Sequence, residues 1–148
     1  MTIHTAIIAW TRGDADFAGG KYGRTHKASF DGGVDIAVTT ALPLPSNTVP
    51  ATDPEELVMA AVASCHMMFF LNFARHAGFI VDNYDDTPSG TLGKADDGIE
   101  RLVEITLSPK IMWSGGTVPS AADVDLLHHK AHQACYIGQS LKCPVVVR

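Results

Sequence analysis

The chain has 148 residues, with 46% hydrophobic and 18% charged side chains, so it holds enough apolar material for one ordinary packed domain and lacks the composition of a disordered chain. Lys and Arg number 11 against 16 Asp and Glu, a net charge of -5 with no basic run, which argues against a nucleic-acid partner. The apolar runs are read as too short for a membrane span, and Met1-Thr2-Ile3-His4 lacks the charged and apolar blocks of a secretory signal, so the cytoplasm is the expected address and no membrane contact is expected.

Ile3 to Trp10 is apolar and partly alternating, the pattern of a first strand. Thr11 to Gly23 is rich in glycine, with Asp14 and Asp16 among them, and reads as a loop or wide turn. Thr25 to Phe30 and Val34 to Thr39 flank Asp31-Gly32-Gly33, which predicts a hairpin. Leu42 to Pro54 carries prolines at 43, 45, 50 and 54, a density that excludes an ordinary helix or a central strand.

A long helix follows. Asp53 suits the N-cap, Pro54 the first helical position, and Glu55 and Glu56 complement the dipole in the first turn. The helix should run to His76-Ala77, with Gly78 closing it. Leu57 to Leu71 is apolar except at Ser64, Cys65 and His66, so burial on every side, by sheet or by a partner subunit, is expected. Phe79 to Gly93 and Ile99 to Trp113 read as two long strands joined by Asp96-Asp97-Gly98. Ser120 can cap a second helix from Ala121 to Ala134, and Pro144 to Val147 reads as a short last strand. The order is that of an α+β domain, with no internal repeat or linker.

Three cysteines, Cys65, Cys135 and Cys143, form no CxxC pair, and an odd count does not fit a secreted disulfide scaffold. Cys65 is either a core thiol or a reactive one. Its neighbours Ser64 and His66 are polar on an otherwise apolar helix and need hydrogen bonds, so this stretch must face something polar. His66 points about 100° away from Cys65 and is not automatically its base. Glu55 lies about 15 Å before Cys65 along a helix axis, so it can act on Cys65 only through another group, and otherwise serves as a helix-start acid. Arg24 and His26 share one face of a strand; Arg24 either lowers a thiolate pKa and holds an oxygen, or is a surface arginine. His128 and His132 share a helical face, with Cys135 nearly on the same side. That set is either a partial zinc site or a surface histidine face near a helix end. Cys143, before Pro144, reads as a core or strand-edge thiol.

Several segments together resemble the OsmC/Ohr family of thiol-dependent peroxidases, over essentially the whole chain in element order. They are Tyr22-Gly23-Arg24-Thr25-His26 with Phe30-Asp31-Gly32-Gly33; Pro54-Glu55-Glu56-Leu57 leading to Ala63-Ser64-Cys65-His66; and His128 through Cys135, continuing to Ser140. The resemblance implies an OsmC-like fold in one domain over residues 1–148. It also implies an intertwined homodimer, with long central helices enclosed by antiparallel sheets and active sites built from both subunits. Cys65 matches the family's peroxidatic cysteine, Cys135 its resolving cysteine, Arg24 the arginine that activates the thiolate, and Glu55 the glutamate that holds that arginine. The expected chemistry needs no cofactor and no metal. Cys65 reduces a small organic hydroperoxide, with hydrogen peroxide as a second substrate, and becomes a sulfenic acid. Cys135 resolves it as a disulfide, and a dithiol reductant such as a lipoylated protein restores both thiols. Met67, Met68, Phe69 and Phe70 suggest an apolar approach to the site. The alternative is a non-enzymatic ligand-binding or metal-binding dimer of the same fold. The chain departs from the best-known branches where Tyr136, not proline, follows Cys135; Cys-Pro occurs later, at Cys143-Pro144. His26, His66 and His132 mark a separate subgroup.

Overall fold

The structure is a computed structural model that describes residues 1–41 and 49–148; most of the proline-rich segment expected over 42–54 therefore lies outside the described residues. The chain divides into two compact units, Met1–Leu57 and Val58–Arg148.

In the first unit, β1 (Ala6–Ala9), β2 (His26–Phe30) and β3 (Asp35–Val38) form an antiparallel sheet in the order β1-β2-β3. The hairpin predicted around Asp31-Gly32-Gly33 is present, closed by Phe30 N–H donating to the Val34 carbonyl at 2.9 Å. The first strand is shorter than the apolar run that predicted it, because its pairing with β2 ends at Ala9 opposite Lys27. Ala28 and Val38 are buried, whereas every residue of β1 is exposed in the single chain. Thr52 returns beside β3, accepting from Thr39 N–H at 2.8 Å and donating to the Ala37 carbonyl at 3.1 Å.

The long helix α1 spans Pro54–His76, with the bounds its caps predict. Glu56 N–H donates to the Asp53 carboxylate at 2.7 Å, and Asp53 N–H donates back to the Glu56 carboxylate at 3.2 Å, a reciprocal capping box. At the other end Gly78 takes φ 83, Phe79 N–H reaches the Ala74 carbonyl and Gly78 N–H the Arg75 carbonyl, a Schellman closure that glycine adopts without a Cβ penalty.

The single chain by itself accounts for burial of one side of α1. Met59, Val62, Ala63, His66, Phe70 and Ala74 are buried, one face at steps of three and four, while Met68 is 61% exposed. The sequence counts its apolar residues correctly, but one chain supplies packing partners for one face only. By length and composition α1, with a mean hydropathy of 1.8 over its apolar window, would also pass as a membrane span; Ser64, Cys65 and His66 interrupt the run without lowering its mean enough. A packed core helix passes the same test, and the buried face of α1 is packed.

In the second unit the two expected long strands each break in two, giving β4 (Ile80–Asp85), β5 (Ser89–Lys94), β6 (Glu100–Leu107) and β7 (Lys110–Ser114). Pro88 and Pro109 sit at the breaks, where they remove backbone donors from the ladder. The Asp86 carboxylate ties the breaks together by accepting from Ser108 N–H at 2.7 Å. β4 pairs antiparallel with β7, and β5 antiparallel with β6. The last strand β8 (Val145–Val147) pairs parallel with β6, so this sheet is mixed, not wholly antiparallel. A parallel return needs a crossover, here α2 (Ala121–Ala134) and a short α3 (Tyr136–Gln139). Met59, Val62 and Ala63 of α1 pack on Ile105 and Leu107 of β6, while Phe70 and Ala74 pack on Leu127 and Ala131 of α2.

Candidate functional site

Two helices bring the two expected redox cysteines together. Cys65 lies in the middle of α1 and is half-buried; Cys135 follows the last turn of α2 and is 1% exposed. Both are free thiols, and their side chains lie close enough to act on each other. Burial first, and then the neighbouring Cys65 thiol, push the Cys135 thiol up to about 11; backbone N–H groups of Gly138 and Ile137 pull the other way. Cys135 therefore keeps its proton near neutral pH. It also caps α3, with its Sγ accepting from Gly138 N–H at 3.3 Å. That turn is not legible from sequence, because four residues are too few for a periodic pattern and cysteine is not a favoured cap.

The polar stretch around Cys65 finds the partner it needs. His66, 1% exposed, points into the core, where its Nε2 and the Nδ1 of His128 share a hydrogen bond of 3.0 Å. The His128 ring also packs on Phe70, with centroids 4.3 Å apart. Burial pushes His66 down to about 4, and the charges of His128 and His132 push the same way; burial likewise lowers His128, against a smaller opposing effect of Asp125. Sequence reasoning placed a polar partner near His66 without identifying His128, which lies 62 residues away. The apolar helix interrupted by one histidine was the available signal.

The zinc arrangement of His128, His132 and Cys135 is not supported. Among the described residues, no three His, Cys, Asp or Glu side chains are grouped to hold a metal. His128 is engaged by His66, and the Cys135 sulfur by Cys65 and Gly138. Cys143, half-buried, packs against the cluster of Met59, Val62 and Ile105 and lines a cavity of about 430 Å³ with Lys94 and Lys142.

Arg24 and Glu55 belong to the first unit, where they line one cavity of about 300 Å³ with His26, Thr39, Thr40 and Pro54. Among the described residues no ion pair joins them. The Arg24 guanidinium instead lies 5.0 Å above the Tyr22 ring, a cation–π contact. His26 Nδ1 donates to the Arg24 carbonyl at 3.0 Å, holding the backbone that carries the arginine.

A family model described as OsmC-like protein matches residues 46–148. Peroxiredoxin OsmC of Escherichia coli (strain K12) is 31% identical over 96 residues, 65% of this chain, and the matched stretch spans 64% of that relative's length. Peroxiredoxin OsmC of Shigella flexneri matches to the same extent. Among solved structures, an OsmC-like protein of unknown function from Vibrio cholerae superposes with a TM-score of 0.96 at 35% identity, covering 100% of this chain and 99% of the other. An organic hydroperoxide resistance protein from Elizabethkingia anophelis shares the fold alone, with a TM-score of 0.69 at 21% identity over 99% of this chain and 96% of its own. With the α+β arrangement of these relatives and a family match over more than half its length, this chain belongs to the OsmC/Ohr family.

Proposed function

We propose that the protein is a thiol-dependent peroxidase that reduces organic hydroperoxides. The observation that carries this reading is that two free thiols 70 residues apart in sequence, Cys65 and Cys135, are brought within interaction range of each other. Cys65, the more accessible sulfur, attacks the distal peroxide oxygen, the alcohol leaves, and Cys65 becomes a sulfenic acid. Cys135 then attacks the Cys65 sulfur, water leaves and the disulfide forms. Two electrons from a dithiol, which a lipoylated protein would supply, return both thiols. The raised Cys135 thiol supports this order of events, because it remains a quiet protonated partner until Cys65 is oxidised.

Arg24 is assigned the activation of the Cys65 thiolate and Glu55 the orientation of Arg24. Their shared cavity and their match to the family pattern support these roles. The working form is assigned as a cytoplasmic homodimer in which residues 1–148 act as one domain. The unburied faces of α1 and β1 support a second copy: Ile7 and Ile8 are 67% and 64% exposed, an unusual state for paired strand residues of that kind.

One equivalent of an organic hydroperoxide added to fully reduced protein, followed by alkylation and non-reducing peptide mapping, tests the assignment. A Cys65–Cys135 disulfide with Cys143 alkylated is expected. A disulfide to Cys143, or unchanged thiols, would overturn it.

A further inference from the structure

Cys135 stands at an elbow between α2 and α3, with φ -68 and ψ 103, extended backbone between two helical turns. A proline at 136 would push the residue before it into that region. Tyrosine imposes nothing of the kind, so the elbow is held by contacts. Cys135 N–H donates to the Ala131 carbonyl at 2.9 Å, Gln139 Nε2–H to the His132 carbonyl at 2.9 Å, and the Ser140 hydroxyl to the Tyr136 carbonyl at 2.8 Å.

Those bonds seat α3 on the end of α2, but none of the three reaches α1, which carries Cys65. The Tyr136 side chain does. Its ring stands edge-on to Phe69, with centroids 5.3 Å apart and planes at 83°, the arrangement the ring quadrupoles favour. Phe69 lies four residues beyond Cys65 on the same face of α1. It is itself anchored, stacked on Phe73 and packed against the cluster of Phe70, Leu127 and Ala131. The two rings therefore join the backbones next to one sulfur and one helical turn from the other. Tyr136 is 73% exposed, so its ring adds little to the core. What it can fix is the seat of Cys135 against α1.

We propose that Tyr136 is a positioning residue whose ring, set on Phe69, holds Cys135 against Cys65 and so speeds closure of the disulfide. The proposal rests on the peroxidase reading for its chemistry. In the closure step the Cys135 thiol gives up its proton and its sulfur bonds to the Cys65 sulfenic sulfur. The S–O bond breaks, and hydroxide leaves with that proton as water. Tyr136 touches neither the peroxide nor the oxidation of Cys65, so only the second step depends on it.

The test has a kinetic arm and an equilibrium arm. Fully reduced protein is mixed with one equivalent of tert-butyl hydroperoxide and quenched at intervals, with dimedone to trap the sulfenic acid and mass analysis to count the disulfide. Tyr136→Ala should slow closure about two- to tenfold, the range of an aromatic pair, with an unchanged rate of Cys65 oxidation. Tyr136→Phe keeps the ring and should close at the wild-type rate. Adding Phe69→Leu to Tyr136→Ala should slow closure no further, since the pair acts as a unit. In the second arm, without peroxide, glutathione buffers set the equilibrium in which the protein disulfide and two glutathione thiols give the dithiol and glutathione disulfide. The share of Cys65–Cys135 disulfide should fall in Tyr136→Ala and not in Tyr136→Phe. Wild-type closure or a wild-type equilibrium in Tyr136→Ala, equal loss in Tyr136→Phe, or equal slowing of Cys65 oxidation would each overturn the proposal. Peroxide turnover with undisturbed closure in Tyr136→Ala removes this inference and leaves the peroxidase reading. A glutathione equilibrium that shifts as expected, in a protein inert to hydroperoxide, supports the clamp and removes the peroxidase reading.

Discussion

Acidification from pH 7 to pH 4 should cost the fold about 3 kcal/mol through His66 alone. His66 is buried neutral against His128, and its value falls from 6.5 to about 4 on folding. A histidine with a depressed folded value stabilises the fold fully above its unfolded value, and the contribution is lost as the pH falls. The window is therefore roughly pH 6.5 down to 4, with about 2 kcal/mol already gone at pH 5. The groups facing the pair are His132 and Asp125 on α2; His132 adds to the penalty, and Asp125 softens it at His128. Urea denaturation of the reduced protein at several pH values, at one fixed protein concentration, would measure the loss. His66→Gln keeps an amide to meet His128 but cannot take up a proton, so its stability should fall less steeply over the same window. Identical pH dependence in the two proteins would refute the buried neutral pair.

Phe70, fully buried between α2 and the β4–β7 pair, should cost about 3–5 kcal/mol when cut to alanine, measured by denaturant midpoint. Ser120→Ala removes the capping box of α2 and should cost about 1 kcal/mol; a loss below experimental error would show that the cap is dispensable. Gly78→Ala forces a Cβ into φ 83 and should destabilise by about 1 kcal/mol, whereas a gain in thermal midpoint would contradict the Schellman closure of α1.

The helices were legible because their ends are chemical. Asp53 with Glu56, Ser120 with Asp123, and Gly78 each satisfy groups that a helix terminus leaves unpaired; both long helices begin, and α1 ends, where those residues stand. The breaks after Asp85 and after Leu107 were written in Pro88 and Pro109, but alternation in Val103, Ile105 and Leu107 spoke louder than single prolines. Parallel pairing of β8 with β6 depends on where a crossover of 37 residues, 108–144, lands, which no local pattern specifies.

The covering of α1 was legible only in part for another reason. Composition reports that a surface is apolar, not which chain covers it, and the single chain covers the face of Val62, His66 and Phe70 while leaving Met68 open. At the site, the pairing of Cys65 with Cys135 came through family resemblance, because 70 residues and a change of element separate them. The need of His66 for a polar partner was legible from solvation alone; the identity of His128 was not, since it depends on how α2 packs on α1.

The most direct test of the central claim is hydroperoxide consumption with parallel thiol titration in reduced wild-type, Cys65→Ser and Cys135→Ser proteins. The account predicts loss of two thiols per chain in the wild type and no consumption above background without Cys65. Without Cys135 it predicts a Cys65 that reacts but ends as sulfenic or higher acids. Undiminished consumption in Cys65→Ser, or fully reduced wild-type protein that leaves the hydroperoxide intact, would contradict it.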